Sequence, residues 1–78
     1  MKCWKKHFNS DIVSSWKKNG KYSSESDRPL IDVRRRGNED KSVTLETYDL
    51  RRNYREIYTN KKLGIKRAMQ IMKKESKC

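Results

Sequence analysis

Basic side chains crowd the stretch TNKKLGIKRAMQIMKK, residues 59–74, where lysine and arginine interleave with apolar residues. Both cations bind phosphate groups and release their counterions, which requires no particular base sequence. The stretch therefore predicts a surface that binds a polyanion, nucleic acid above all. The residues that we expect to contact phosphate are Arg51, Arg52, Arg55, Lys62, Lys66, Arg67, Lys73 and Lys74.

The net charge of +11 on 78 residues is unevenly distributed. Residues 1–20 carry five lysines against one aspartate, residues 21–48 are balanced, and residues 49–78 carry ten basic side chains against three acidic ones. A charge that served only solubility has no reason to concentrate in this way. We expect a small basic nucleic-acid-binding protein, with RNA slightly favoured over DNA because no groove-reading motif is recognisable. The alternative is a protein-binding inhibitor or adaptor whose basic face docks an acidic protein partner.

The segment LGIKRAM resembles the turn of a helix-turn-helix motif, in which Leu-Gly-Ile is frequent. That motif requires a small residue before the glycine and an aliphatic residue after it, both buried between its helices. With Gly64 in the turn, these positions hold Asn60 and Gln70, which are polar. No family is assigned on this resemblance.

The chain offers little for catalysis. His7 is its only histidine and the only side chain that titrates near neutral pH without perturbation, but it lies close to a chain end that we expect to fray. A small metal-free ribonuclease that uses His7 is the catalytic alternative. No carboxylate pair, Ser-His-Asp set or glycine-rich phosphate loop is recognisable, so we expect no enzyme and no cofactor. A metal site is not expected either, because no Cys-x-x-Cys pair anchors one.

The cysteine content and the hydropathy of the sequence give expectations about the cellular location of the protein. No signal peptide and no apolar run of membrane-spanning length is present, which predicts an intracellular, cytoplasmic protein. Free thiols are the default there, and whether Cys3 and Cys78 pair stays open. A basic amphipathic helix also fits a membrane surface, but the fold needs that apolar face, so we do not expect a membrane partner. The oligomeric state is not predicted.

The sequence predicts one α+β domain over residues 1–78, whose helices and strands must position the basic residues. We expect its ends, at 1–8 and 75–78, to fray. A short N-terminal helix at about 10–18 is predicted by the spacing of Ile12, Val13 and Trp16. An antiparallel β-hairpin at about 29–48 is predicted by alternating apolar residues around Gly37-Asn38. A three-residue loop, 37–39, places Val33 opposite Val43 and Ile31 opposite Leu45.

The C-terminal part predicts helix at about 49–74, packed on the hairpin. Its apolar residues share one sector of a continuous helix, while Arg52, Arg55, Lys62 and Lys66 fall at helical spacing on the solvent side. Because glycine weakens a helix, a broken helix pair with its kink between Thr59 and Gly64 is the form we expect.

Overall fold

One antiparallel sheet and one helix make up the part of the chain that the computed structural model describes, namely residues 3–18, 30–37 and 39–75. The five strands lie side by side in sequence order, so each pairs only with its neighbours along the chain. The elements are β1 (Trp4–Asn9), β2 (Val13–Lys18), β3 (Ile31–Arg35), β4 (Val43–Thr47), β5 (Arg55–Tyr58) and α1 (Lys61–Lys74). The helix covers one face of the sheet and leaves the other open.

The core lies between α1 and the covered face of the sheet, where α1 contacts β3, β4 and β5. Antiparallel strands alternate their side chains between the two faces, and residues directly opposite each other share a face. Opposite pairs such as Val33 and Leu45 therefore bury their side chains together beneath the helix. The buried apolar residues of the described chain are Trp4, Trp16, Leu30, Ile31, Val33, Val43, Leu45, Ala68, Ile71 and Met72.

The predicted N-terminal helix is wrong, because β1 and β2 form a hairpin there. The turn between them is closed by Ser10, whose backbone N–H donates to the Val13 carbonyl at 2.8 Å. The Ser10 hydroxyl oxygen also accepts from the N–H groups of Ile12 and Val13. Ile12, which the helix would have buried, lies 57% exposed in this turn. A serine that bonds nearby backbone groups favours a turn over a helix.

Two strands do pair within the predicted hairpin range, but the predicted register is wrong. Val33 lies opposite Leu45, and Arg35 rather than Val33 lies opposite Val43. The difference is two residues along β4, which leaves every side chain on the same face, so the apolar pattern alone could not distinguish the two registers. The loop is longer than predicted, and Asp40 Oδ1 accepts from the Ser42 N–H at 2.9 Å within it. One predicted loop residue, Asn38, lies outside the described residues.

The predicted helix over 49–58 is also wrong, because a loop and β5 occupy this range. Asp49 adopts a left-handed backbone with φ 55°, which aspartate tolerates better than most residues. The amide oxygen of Asn53 then accepts from the Leu50 N–H at 3.1 Å. The Tyr54 N–H donates to the Thr47 hydroxyl at 2.7 Å. These bonds hold a turn that returns the chain antiparallel to β4.

In place of the predicted helix pair, α1 is a single helix that begins at Lys61. Asn60 caps it, since its side-chain oxygen accepts from the Leu63 N–H at 2.9 Å. Gly64, taken from the sequence as a break, lies buried in the first turns, where the helix approaches the sheet closely. A Cβ built on Gly64 would lie 2.7 Å from Val43 Cγ2 and 2.9 Å from Val33 Cγ1. The glycine is therefore explained by packing.

The described residues include only part of each chain end. Cys3 is disulfide-bonded and has a φ of 74°, whereas Cys78, the other cysteine of the sequence, lies outside the described residues. The same holds for residues 1–2 and 76–77 of the ends that we expected to fray. Residues 4–8, which we also expected to fray, belong to β1.

Candidate nucleic-acid interface

Helix α1 is held at both ends against the β1–β2 hairpin. At its start, the Lys61 ammonium donates to the Ser10 carbonyl. At its end, Trp4 Nε1 donates to the Glu75 carbonyl at 3.0 Å. The rise from Lys61 to Glu75 is about 21 Å, and the strand from Trp4 to Ser10 spans about 20 Å. These two hydrogen bonds tie both ends of the helix to the hairpin while its body packs on β3, β4 and β5, so its outer surface is presented by a supported element.

Three lysines line up along the outer surface of α1. Lys62, Lys66 and Lys73 fall within about 40° of the helix circumference and span about 16 Å along its axis. All three are exposed. Within the described chain, no hydrogen bond or ion pair engages their ammonium groups. We call these three residues the lysine stripe. Met69, 47% exposed, lies in the same sector.

Arg67 and Lys74, also predicted to contact phosphate, lie on another side of α1. Arg67 is half-buried and bonds Glu56 through two nitrogens: Nε donates to Oε1 at 2.9 Å and Nη2 to Oε2 at 3.3 Å. The hydrogen bond from Arg67 lowers the pKa of the Glu56 carboxyl, and the same bond raises the pKa of Arg67. Two-nitrogen pairing is a strong form of ion pair, so Arg67 is committed to β5. Lys74 is exposed.

The three predicted arginines of residues 51–55 are not aligned with the lysine stripe. Arg51 and Arg52 are exposed in the β4–β5 loop, and the Arg52 guanidinium lies 5.4 Å from the centroid of the Tyr54 ring. Arg55 lies on β5, opposite Glu46, on the open face of the sheet. Its Nε is 3.8 Å from Glu46 Oε1, and its side chain is 82% exposed, so this pair is loose.

Three of the six described aromatic side chains serve the fold. Trp4 and Trp16 are buried, and the ammonium groups of Lys18 and Lys6 lie 5.7 and 4.9 Å from their ring centroids. Tyr58 donates to Glu56 Oε1 at 2.6 Å, and burial is the main cause that raises the pKa of its hydroxyl. These rings are consequently not presented beside the lysine stripe.

The open face of the sheet holds a feature that the sequence analysis missed. A shallow cavity of about 370 Å³ lies there, with Asp32 and Glu46 directly opposite each other on β3 and β4. Burial raises the pKa of Asp32, while the nearby Arg34 guanidinium, 3.4 Å away, acts in the opposite direction. Tyr48 donates to Glu46 Oε2 at 3.1 Å. This surface carries both positive and negative side chains. The carboxylate pair could be found only from the correct register of β3 and β4.

Two further properties of the described residues concern metal-ligand clusters and membrane-spanning helices. No group of three or more His, Cys, Asp and Glu side chains in that part of the chain is arranged to hold a metal ion. Its helix is too short and too polar to cross a membrane. His7 lies exposed on β1, where the pairing with β2 is interrupted by a bulge.

Comparisons with known proteins add no family to these observations. The chain matches no protein-family model, no curated protein and no solved structure at a significant level.

Proposed function

We propose that this protein binds nucleic acid through phosphate contacts made by the lysine stripe on α1. The observation that carries the proposal is the alignment of Lys62, Lys66 and Lys73 on one side of a helix held at both ends. A lysine ammonium acts as a point charge toward a phosphate and needs no base contact. RNA remains slightly favoured over DNA, as the sequence predicts.

The other cations contribute to this proposal unequally. Lys74, Arg51 and Arg52 are exposed and add to the positive field that attracts a polyanion. Arg67 would have to leave Glu56 to contact phosphate, so we assign it to the support of the helix. Arg55 lies on the open face of the sheet, away from α1.

The test is a triple variant, Lys62→Gln, Lys66→Gln and Lys73→Gln, compared with the parent by fluorescence anisotropy of labelled RNA and DNA at several salt concentrations. On a DNA duplex, three lost phosphate contacts lower the slope of log affinity against log salt by about 2.7. Between about 50 and 200 mM salt, the parent should then lose about 40-fold more affinity than the variant.

A matched control separates the stripe from net charge. The variant Lys5→Gln, Arg36→Gln and Lys41→Gln removes the same three charges from exposed positions elsewhere. It should keep most of the parent's salt slope, and circular dichroism should show both variants folded. Equal slopes for the parent and the stripe variant would refute the proposed site.

The second candidate function is an inhibitor or adaptor that docks an acidic protein. The observation that favours it is the exposure of Met69 within the stripe sector and of Leu63 on the outer surface of α1, at 47% and 43%. Methionine is enriched at protein interfaces, and charge complementarity selects the partner there. A saturable one-to-one complex with a protein, together with weak oligonucleotide binding at the lowest salt, would favour this function over the first.

A further inference from the structure

The lysine stripe carries positive charge but no aromatic side chain on which a base could stack. Its three side chains are lysines on a supported helix. Among the described aromatic residues, Trp4 and Trp16 are buried, and Tyr54 packs against the core. The hydroxyls of Tyr48 and Tyr58 donate hydrogen bonds to glutamate side chains. Phe8 is 46% exposed, but it lies opposite Ser15 on the open face of the sheet, on the other side from α1. Proteins that bind single strands usually stack bases on exposed aromatic rings.

The geometry of the stripe also suits a rigid partner. Its three lysines follow the helix axis over about 16 Å, with rises of about 6 and 10.5 Å between neighbours. A duplex carries one phosphate charge per roughly 1.7 Å of axis, so a segment as long as the stripe presents several phosphates in a fixed array. A flexible single strand loses conformational entropy when it is ordered along the helix, and the described residues offer no exposed ring beside the stripe on which its bases could stack in return.

We infer that the lysine stripe binds double-stranded nucleic acid in preference to single strands, and without sequence preference. This inference rests on the proposed function, because it names the class of ligand for the same site. Counterion release contributes about 0.9 to the salt slope per contact on a duplex and about 0.7 on a single strand. For three contacts the difference is about 0.6, so the ratio of duplex affinity to single-strand affinity rises about fourfold between 1 M and 0.1 M salt.

The experiment measures the anisotropy of one labelled sequence as a duplex and as each single strand, in DNA and in RNA, with the parent protein and the stripe variant. We expect the ratio of duplex affinity to single-strand affinity to rise about fourfold between 1 M and 0.1 M salt, and duplexes of unrelated sequence to bind equally. The preference should disappear in the variant Lys62→Gln, Lys66→Gln and Lys73→Gln. Single-stranded homopolymers of different bases should bind the parent with equal affinity.

The outcomes separate this inference from the proposed function. Salt-dependent binding in which a single strand equals or exceeds the duplex would overturn the duplex preference and leave phosphate binding by the stripe standing. A strong preference among single-stranded homopolymers would overturn it too, because such a preference reveals base stacking. No salt-dependent binding to any oligonucleotide would refute the proposed function, and this inference with it.

Discussion

Gly64 gives the sharpest test of how α1 packs on the sheet, through the substitution Gly64→Ala. On helix propensity alone, alanine should stabilise the protein by about 1 kcal/mol relative to glycine. The structure predicts the opposite sign. The added methyl group would lie 2.7 Å from Val43 Cγ2 and 2.9 Å from Val33 Cγ1, and both valines are fully buried on central strands.

The magnitude follows from the stiffness of those neighbours. Valine side chains have few allowed χ1 rotamers, and the two strands that carry them are each paired on both sides. The helix itself must therefore shift. Overpacking of a core by one methyl group costs about 1–3 kcal/mol, and two simultaneous short contacts favour the upper end. After the gain in propensity, we expect a net destabilisation of about 2 kcal/mol. For a domain of this size, that lowers the melting temperature by about 8–16 °C.

Thermal and urea unfolding, followed by circular dichroism, would measure this change. A matched pair at an exposed site of the same helix, Lys66→Ala and Lys66→Gly, reports propensity alone, and alanine should be the more stable there by about 1 kcal/mol. In the background of Val43→Ala, which removes the nearest methyl group, Gly64→Ala should cost at least about 1 kcal/mol less than in the parent. A Gly64→Ala protein as stable as the parent would refute the close approach of α1 to the sheet.

Two further predictions concern the ends and sides of α1. Asn60→Ala removes the acceptor of the Leu63 N–H and should lower the unfolding free energy by about 1 kcal/mol, whereas Asn60→Asp should retain most of it in the same urea titration. Arg67→Gln removes the group that lowers the pKa of Glu56 from its ordinary value of 4.5. A lowered carboxyl pKa stabilises the fold above that value and loses its contribution as the pH falls through the lowered one. The melting temperatures of parent and Arg67→Gln should thus differ at neutral pH and converge in acid, and a difference that grew in acid would contradict the pair.

The N-terminal hairpin shows why the strand pattern was hidden in the sequence. A strand with one buried face usually alternates apolar and polar residues, but β2 carries serine at two buried positions. Ser14 shares the covered face with Trp16, and its hydroxyl donates to the Asn9 side-chain oxygen at 2.9 Å. Because that bond satisfies the hydroxyl, burial costs little. Val13 and Trp16 are the only apolar residues of β2, and their separation of three residues happens to match one turn of a helix.

The set of α1 residues that face the sheet was also predicted imperfectly, for a related reason. Combining the apolar residues of 50–58 with those of 61–74 assumed one continuous helix, and this treated Gly64 as a break rather than as part of the buried side. Once 50–58 form a loop and a strand, the phase of α1 is set by its own contacts, which bury Gly64 and Ile71 and leave Met69 exposed. Sequence periodicity thus predicted the helix at 61–74, whereas its orientation depended on which other elements packed against it.

The same dependence governs the basic surface. Lysine and arginine are seldom fully buried, so the exposure of most predicted phosphate contacts would follow in almost any fold. Their grouping would not, because neighbours along a surface are set by secondary structure: every third or fourth residue in a helix and every second residue in a strand. Arg52 and Arg55 were grouped with Lys62 by helical spacing, and they separate because a loop and β5 carry them. Among the predicted phosphate contacts, three share one side only within α1, where the predicted element exists. The proposed interface therefore depends on the phase of a single helix, and the substitution Gly64→Ala tests the packing that sets it.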